Sequence, residues 1–390
     1  MILAKPNYKI FPDSEFRQRL VRAKEEMAER ALDALFITDG LNFFYFTGGS
    51  PPFSNARPHI ALLPKDGEPL LVVPEVSKEA LRLESWVSTL KSHLTFGAPI
   101  EMLKEMFREL GVESGRIGCE LGKEQRLGIS LSDFDRLKAS LPDAQFVDAS
   151  ALLWNLRIVK SKAEVECVRE ACNITTKALN AAFEKARVGM RERQLANFFC
   201  NEVSKNGGFA PFTFVNSGPF NYNYLLGPAG FPSRISDQKL SRGNMLYIDA
   251  GCTYNGYWCD FCRMASIGKP SKEQISMHEL IEYVTQECVD MVKPGIKISE
   301  IAEFAAERME RAGYPLKGQA GRMGHGVGLM VTEPPNVSFD DVTVLKPGMT
   351  FTIEPMIVMK YGCFATEQDL VVTDGGCEVL SKAPTEMRRI

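Results

Sequence analysis

GNMLYIDAGCTYNGYWCDFCR, residues 243–263, holds two aspartates whose setting decides how the rest of the chain is read. Residues 245–248 are apolar or aromatic, and Gly251, Asn255 and Gly256 supply turn chemistry, so the stretch reads as two strands joined by a short bend. Asp249 and Asp260 then fall on neighbouring strands. A carboxylate at the end of an apolar run is costly unless it is paired or binds a cation, and two close together repel unless a proton or metal lies between them. A single aspartate there would read as a turn residue.

An internal repeat raises the pair above that simpler reading. LSRGNMLYIDA (240–250) aligns with LKPGMTFTIEP (345–355), matching Leu240 with Leu345, Gly243 with Gly348, Ile248 with Ile353 and Asp249 with Glu354. GMRERQLA (189–196) matches GIKISEIA (295–302) at nearly the same offset, and Asp260 finds its counterpart in Glu367. This is the residue left by a duplicated half-domain. A pseudo-twofold arrangement of the halves brings four acids to one axis, and such a cluster demands cations.

Between the acidic segments lies GRMGHGVGLMVTEPPN, residues 321–336. Glycines on both sides of His325 allow close backbone approach and predict an accessible imidazole, suited to a metal. Four carboxylates and one imidazole form a hard donor set, fitting two Mn, Fe or Co ions, with Zn as the alternative, better than a thiolate zinc site. Two ions bridged by carboxylates generate a hydroxide at neutral pH and polarise a carbonyl.

Composition sets the bounds. The chain has 390 residues, 45% hydrophobic content and a formal charge of −3, enough for two domains and without a bias toward nucleic acid or a membrane surface. No apolar run spans a bilayer, and MILAKPNYKIF lacks a signal-peptide core, which predicts a cytoplasmic protein. The ten cysteines are scattered, mostly through apolar contexts, and read as buried reduced thiols.

In chain order, Phe16, Leu20, Ala23 and Met27 share one helical face, and Ala34–Thr38 reads as a buried strand. Strands at 59–63, 70–73, 116–120 and 145–147 alternate with helices near 75–83 and 100–110, the rhythm of a small α/β domain. No phosphate-binding loop occurs in it. LRIVKSKAE changes the character: Ser161 and Glu164 form a capping box for a long helix, placing the boundary between domains 1–157 and 158–390. The second domain is expected to hold helices at 192–206, from Ser271 to about 292 and after Ser299, and to close with strands at 350–359, 364–373 and 377–381.

In the contexts IDAG, WCDFCR, GHGVGL, FTIEP and ATEQDLVVT, the ordered set Asp249, Asp260, His325, Glu354 and Glu367 resembles the pita-bread metallopeptidase family of prolidase, aminopeptidase P, methionine aminopeptidase and creatinase. LRIVKSKAEVE is similar to that family's junction between a creatinase-type N-terminal α/β domain and the pita-bread catalytic domain, so the resemblance covers nearly the whole chain. It implies that Asp260 and Glu367 bridge two divalent ions, that Asp249 chelates one, and that His325 and Glu354 hold the other while Glu354 helps move a proton. It also implies a homodimer, hydrolysis of a C–N amide bond as in Xaa-Pro dipeptidases, and a short-peptide or small-molecule substrate.

Two positions depart from that pattern. The family's His-Glu-Pro-Pro is Thr332-Glu333-Pro334-Pro335 here, and Pro232 stands where a second histidine is expected. Threonine donates one hydrogen bond but exchanges no proton near neutral pH, which keeps a small non-peptide metabolite open as the substrate of a hydrolase or lyase. A catalytically inactive binding module is the third reading; it has no need to hold four acids against their repulsion. Further candidates are Arg322 for a substrate carboxylate, Arg263 for orienting a bridging acid, Tyr222 and Tyr224 for lining the pocket, and Phe53, Arg57 and His59 for substrate contact.

Overall fold

The computed structural model describes residues 8–51, 56–218, 237–315 and 321–390. The chain forms two compact units, Met1–Arg157 and Ile158–Ile390. Among the described residues no helix is long and apolar enough to cross a membrane.

The first unit is built on a six-stranded sheet ordered Leu90–His93, Leu70–Pro74, Ile60–Pro64, Ala34–Ile37, Arg116–Cys119, Gln145–Asp148. Its central pairings around Ile60–Pro64 are antiparallel and the outer ones parallel, so the sheet is mixed. One face packs Phe36, Leu62 and Val72 against Leu103, Met106 and Phe107 of the helix Ile100–Glu109. Four elements escape the sequence patterns: the helices Gly40–Thr47, Leu131–Ser140 and Ser150–Ile158 and the strand Leu90–His93. Gly40–Thr47 is buried from Asn42 to Thr47, so it shows no polar face and hence no helical period. Its ends are still well marked. The Asp39 carboxylate accepts the N–H groups of Leu41 and Asn42, and Gly48 closes it at φ 76°.

The second unit repeats one motif twice: two helices followed by an antiparallel sheet. The helices Lys162–Lys185 and Glu192–Lys205 precede the strands Phe209–Ser217, Met245–Tyr254 and Phe261–Ser266. In the second half the helices Lys272–Met291 and Ile298–Arg311 precede His325–Gly326, Thr350–Ile353 and Gln368–Val372. The duplication extends to individual hydrogen bonds. Ser161 with Glu164 and Ser271 with Gln274 form equivalent capping boxes at the two long helices. Gly189 N–H donates to Leu240 O at 2.8 Å, and Gly295 N–H donates to Leu345 O at 3.0 Å. Isolated bridges Arg191↔Lys239 and Lys297↔Val344 repeat the relation.

The expected strands 350–359 and 364–373 are each broken in two, into Thr350–Ile353 with Met356–Met359 and Gly362–Ala365 with Gln368–Val372. The breaks fall at Glu354-Pro355 and Thr366-Glu367, the acidic positions themselves. Pro355 has no N–H to give a ladder, and a chain that leaves the sheet there can turn a carboxylate away from it. Asp260 likewise sits in the gap between Tyr257–Trp258 and Phe261–Ser266, whereas Asp249 lies within Met245–Tyr254.

Gly251 fixes how closely these segments approach. A Cβ at that position would lie 2.0 Å from the Cys259 carbonyl oxygen and 2.5 Å from the Phe212 ring. Gly251→Ala is therefore expected to destabilise the fold by about 1–3 kcal/mol, the usual cost of overpacking a core. Chemical denaturation checks this; an unchanged midpoint would mean that the bend between the two aspartates is looser than described.

Candidate metal centre

Five side chains from separate strands and strand breaks meet in the second unit. Asp249 pairs in register with Cys262 on one side and Phe214 on the other, and its Oδ2 accepts the Tyr247 hydroxyl at 3.0 Å. Asp260 is held by its backbone, whose N–H donates to Asp369 Oδ2 at 2.9 Å. Glu354 N–H donates to Met323 O at 2.9 Å, tying that acid to the segment just ahead of His325. The carbonyl of Glu367 accepts Arg263 Nη1 at 2.6 Å.

His325 supplies the imidazole. The chain has four histidines; His59 and His93 lie in the other unit, and His278 Nε2 meets Thr385 O. His325 Nδ1 faces Gly326 O at 3.1 Å, leaving Nε2 toward the acids, 3.3 Å from Glu354 Oε1 and 3.6 Å from Asp260 Oδ2. A backbone carbonyl on one ring nitrogen sets the tautomer and orients the other nitrogen for a metal. The flanking glycines allow the close approach expected of them, but to neighbouring strands. A Cβ at Gly324 would lie 2.1 Å from Thr352 O, and one at Gly326 would lie 2.3 Å from Pro334 O, so they admit neighbouring strands. The imidazole is only 3% exposed rather than accessible.

The donor set fits divalent ions. Asp249 Oδ1, Asp260 Oδ1 and Glu367 Oε1 are buried and have no hydrogen-bond partner among the described residues. Buried carboxylate oxygens without partners are expensive, and three on converging acids mark a place that a cation completes. Ligand atoms of Asp260, His325 and Glu367 lie within 4.8 Å of one another.

Electrostatics agree with this. Burial pushes the Asp249 carboxyl up to about 6. Burial, and then the Asp249 charge, push Glu354 up to about 7. Asp260 and Glu367 are also raised, first by burial and then by the neighbouring acids. Burial pulls His325 down to about 4, with the Arg322 charge acting in the same direction, so its imidazole is neutral at pH 7 and can ligate.

The remaining candidates divide. Arg322 donates to Asn336 Oδ1 at 2.8 Å, and its charge also lowers Glu354, which sets it beside the centre. Thr332 is half-buried at the start of the strand Glu333–Asn336, which pairs with His325–Gly326. Arg263 grips backbone carbonyls of Glu367 and Ala383 and the Gln368 side chain, so it braces the strand rather than the Glu367 carboxylate. Arg57 stacks over Phe96 at 4.5 Å, and His59 is buried in its own unit against Phe43. Phe53, Tyr222, Tyr224 and Pro232 lie outside the described residues.

Sequence reading missed two buried groups here. Lys160 Nζ pairs with Glu333 Oε1 at 2.7 Å, both side chains 1% exposed, anchoring the strand next to Thr332. Asp369, fully buried, holds the Asp260 backbone. A charge inside the apolar run QDLVV was the available signal for Asp369; Lys160 had none, because its partner is far along the chain.

Residues 166–374 match the model of metallopeptidase family M24, and residues 19–159 match the creatinase/prolidase N-terminal domain. The chain is 31% identical over 376 residues to an Xaa-Pro dipeptidase of Pyrococcus furiosus, covering 95% of this chain and 99% of that one. Among solved structures, the prolidase from Pyrococcus horikoshii superposes with TM-score 0.79 at 27% identity, covering 95% of this chain and 99% of that one. A dipeptidase from Mycobacterium ulcerans gives 0.84 at 26%, covering 97% and 99%. Two α/β units with a duplicated acidic centre thus define a metal-dependent hydrolase. The chain belongs to metallopeptidase family M24, with a creatinase/prolidase N-terminal domain.

Raised carboxyl values carry a sign. In the metal-free chain Asp249 moves from 3.8 to about 6 and Glu354 from 4.5 to about 7, so the folded state holds these protons more tightly than the unfolded one. Their contribution to stability is complete below the ordinary values and is lost as pH rises through the raised ones. Divalent ions displace the same protons and bind better as pH rises. The gap in melting temperature between metal-loaded and chelator-treated protein should therefore widen from about pH 5 to about pH 8. A gap independent of pH would contradict the assignment of these acids as ligands.

Proposed function

We propose that the chain hydrolyses the amide bond ahead of proline in short Xaa-Pro peptides, using divalent ions held by Asp249, Asp260, His325, Glu354 and Glu367. The observation carrying this reading is the set of three unpartnered carboxylate oxygens, from Asp249, Asp260 and Glu367, around one buried imidazole. The relatives that point to the substrate class are named as Xaa-Pro dipeptidases and prolidases. An oxygen-rich donor set with a single imidazole favours Mn, Fe or Co over Zn. When bound, such ions lower the pKa of water and polarise a carbonyl.

The protein's own groups do the rest. Glu354, beside the imidazole of His325, is the carboxylate placed to take a proton from water and return it to the departing amine. The Arg322 charge favours the ionised form of Glu354. Asp260 and Glu367 are buried, which keeps bulk water from their side of the centre. The Lys160–Glu333 pair holds the strand that presents Thr332. Thr332, where the family pattern has histidine, favours a second reading, a smaller non-peptide amide as substrate.

Comparing kcat/KM on a panel of Xaa-Pro and other dipeptides separates the two. The peptidase reading predicts metal-dependent turnover of Xaa-Pro substrates by the wild type, raised up to about a hundredfold in Thr332→His, since one oxyanion donor is worth roughly 3 kcal/mol. Absence of Xaa-Pro turnover in both loaded proteins would overturn it in favour of the smaller substrate.

A further inference from the structure

Behind the acidic centre lies a second cluster of potential ligands with a different chemistry. Cys172 on the helix Lys162–Lys185, Cys259 in the gap before Asp260, and Asp369 on the strand Gln368–Val372 each offer an atom within 4.8 Å of the others. All three are fully buried. Cys252 lies beside the group: the Thr175 hydroxyl is 3.3 Å from Cys252 Sγ and 3.2 Å from Cys259 Sγ. None of the four residues belongs to the proposed hydrolytic ligand set.

Asp369 distinguishes this cluster from ordinary buried thiols. Its Oδ2 accepts Cys172 Sγ at 3.2 Å and Asp260 N–H at 2.9 Å, while its Oδ1 is buried without a partner. The nearby Arg263 gives its N–H groups to carbonyl oxygens and to Gln368, leaving the carboxylate without a direct ion pair among the described residues. A fully buried carboxylate with a free oxygen, facing two sulfurs, is a costly arrangement that a cation would relieve.

We propose that Cys172, Cys259 and Asp369, with Cys252 as fourth donor, form a site for one thiophilic divalent ion of the zinc class. Zinc–sulfur bonds of about 2.3 Å in a tetrahedron place neighbouring ligand atoms roughly 3.7 Å apart, which the three atoms reach with a contraction of about 1 Å or less. Sulfur donors select this ion from the oxygen-preferring ions of the hydrolytic centre, so the two sites sort metals by class. On binding, the coordinating cysteine thiols lose their protons to solvent, and the buried Asp369 carboxylate gains a counter-charge. Because the other oxygen of Asp369 holds the Asp260 backbone, the ion would brace one wall of the hydrolytic centre from behind.

Cobalt(II) reports on the site, since thiolate coordination gives an intense near-ultraviolet charge-transfer band that carboxylate and imidazole ligands do not. The full-length chain is loaded with cobalt by two routes, addition to metal-free folded protein and expression in cobalt-supplemented medium. The expected result is the thiolate band in wild type by at least one route, unchanged in Asp249→Asn, and lost in both Cys172→Ser and Cys259→Ser. No band by either route would overturn the proposal and leave a network of protonated thiols. A band that survives both cysteine variants would overturn it as well, by placing the cobalt elsewhere.

Discussion

Four carboxylates, the buried Asp249, Asp260 and Glu367 and the half-buried Glu354, are gathered at one place, and their mutual repulsion is the constraint on which the second unit depends. Without counter-charge, each raises the proton affinity of the others, and the fold keeps its acids only by protonating them. Two divalent ions would match four negative charges. The neutral His325 then adds a donor without adding charge. Much of the surrounding structure holds these side chains in a geometry they would not choose: Tyr247 on Asp249, Asp369 on the Asp260 backbone, and Arg263 on the Glu367 carbonyl.

Duplication explains how one chain achieves this. Each half carries the same helix pair, the same capping boxes and the same glycine-to-leucine hydrogen bond, and each contributes two acids. The halves have diverged in how they present them. Asp249 remains inside a continuous strand, whereas Glu354 and Glu367 stand at breaks in theirs. Only the second half supplies an imidazole, and it does so from the strand His325–Gly326, which is flanked by glycines that let two other strands close over it. The centre is therefore symmetric in its acids and asymmetric in its histidine, so two ions held there would have different surroundings.

What was legible in the sequence follows from locality. The helix carrying Phe16, Leu20, Ala23 and Met27 and the capping box at Ser161 are local patterns, and both are present. The repeat was readable because duplication copies a pattern in place. Gly40–Thr47 was not, since a helix buried on nearly all sides has no period to detect. The strand breaks at Glu354 and Glu367 are hard to read because apolar runs resume a few residues beyond each acid, although Pro355, which gives no N–H to a ladder, was a signal at the first. Lys160 with Glu333 and Asp369 with Asp260 join residues distant in the chain, and nothing local announces such pairs. The glycines around His325 were correctly read as sites of close approach; only three-dimensional packing reveals that neighbouring strands, rather than a ligand, make it.

The central claim is that these acids and one imidazole hold two ions side by side. Anomalous scattering from crystals of the manganese-loaded chain, recorded on both sides of the manganese edge, tests it most directly. Two peaks are predicted, both bordered by Asp260 and Glu367, one also by Asp249 and the other by His325 and Glu354. A single peak at full occupancy, or peaks away from these five side chains, would contradict the account.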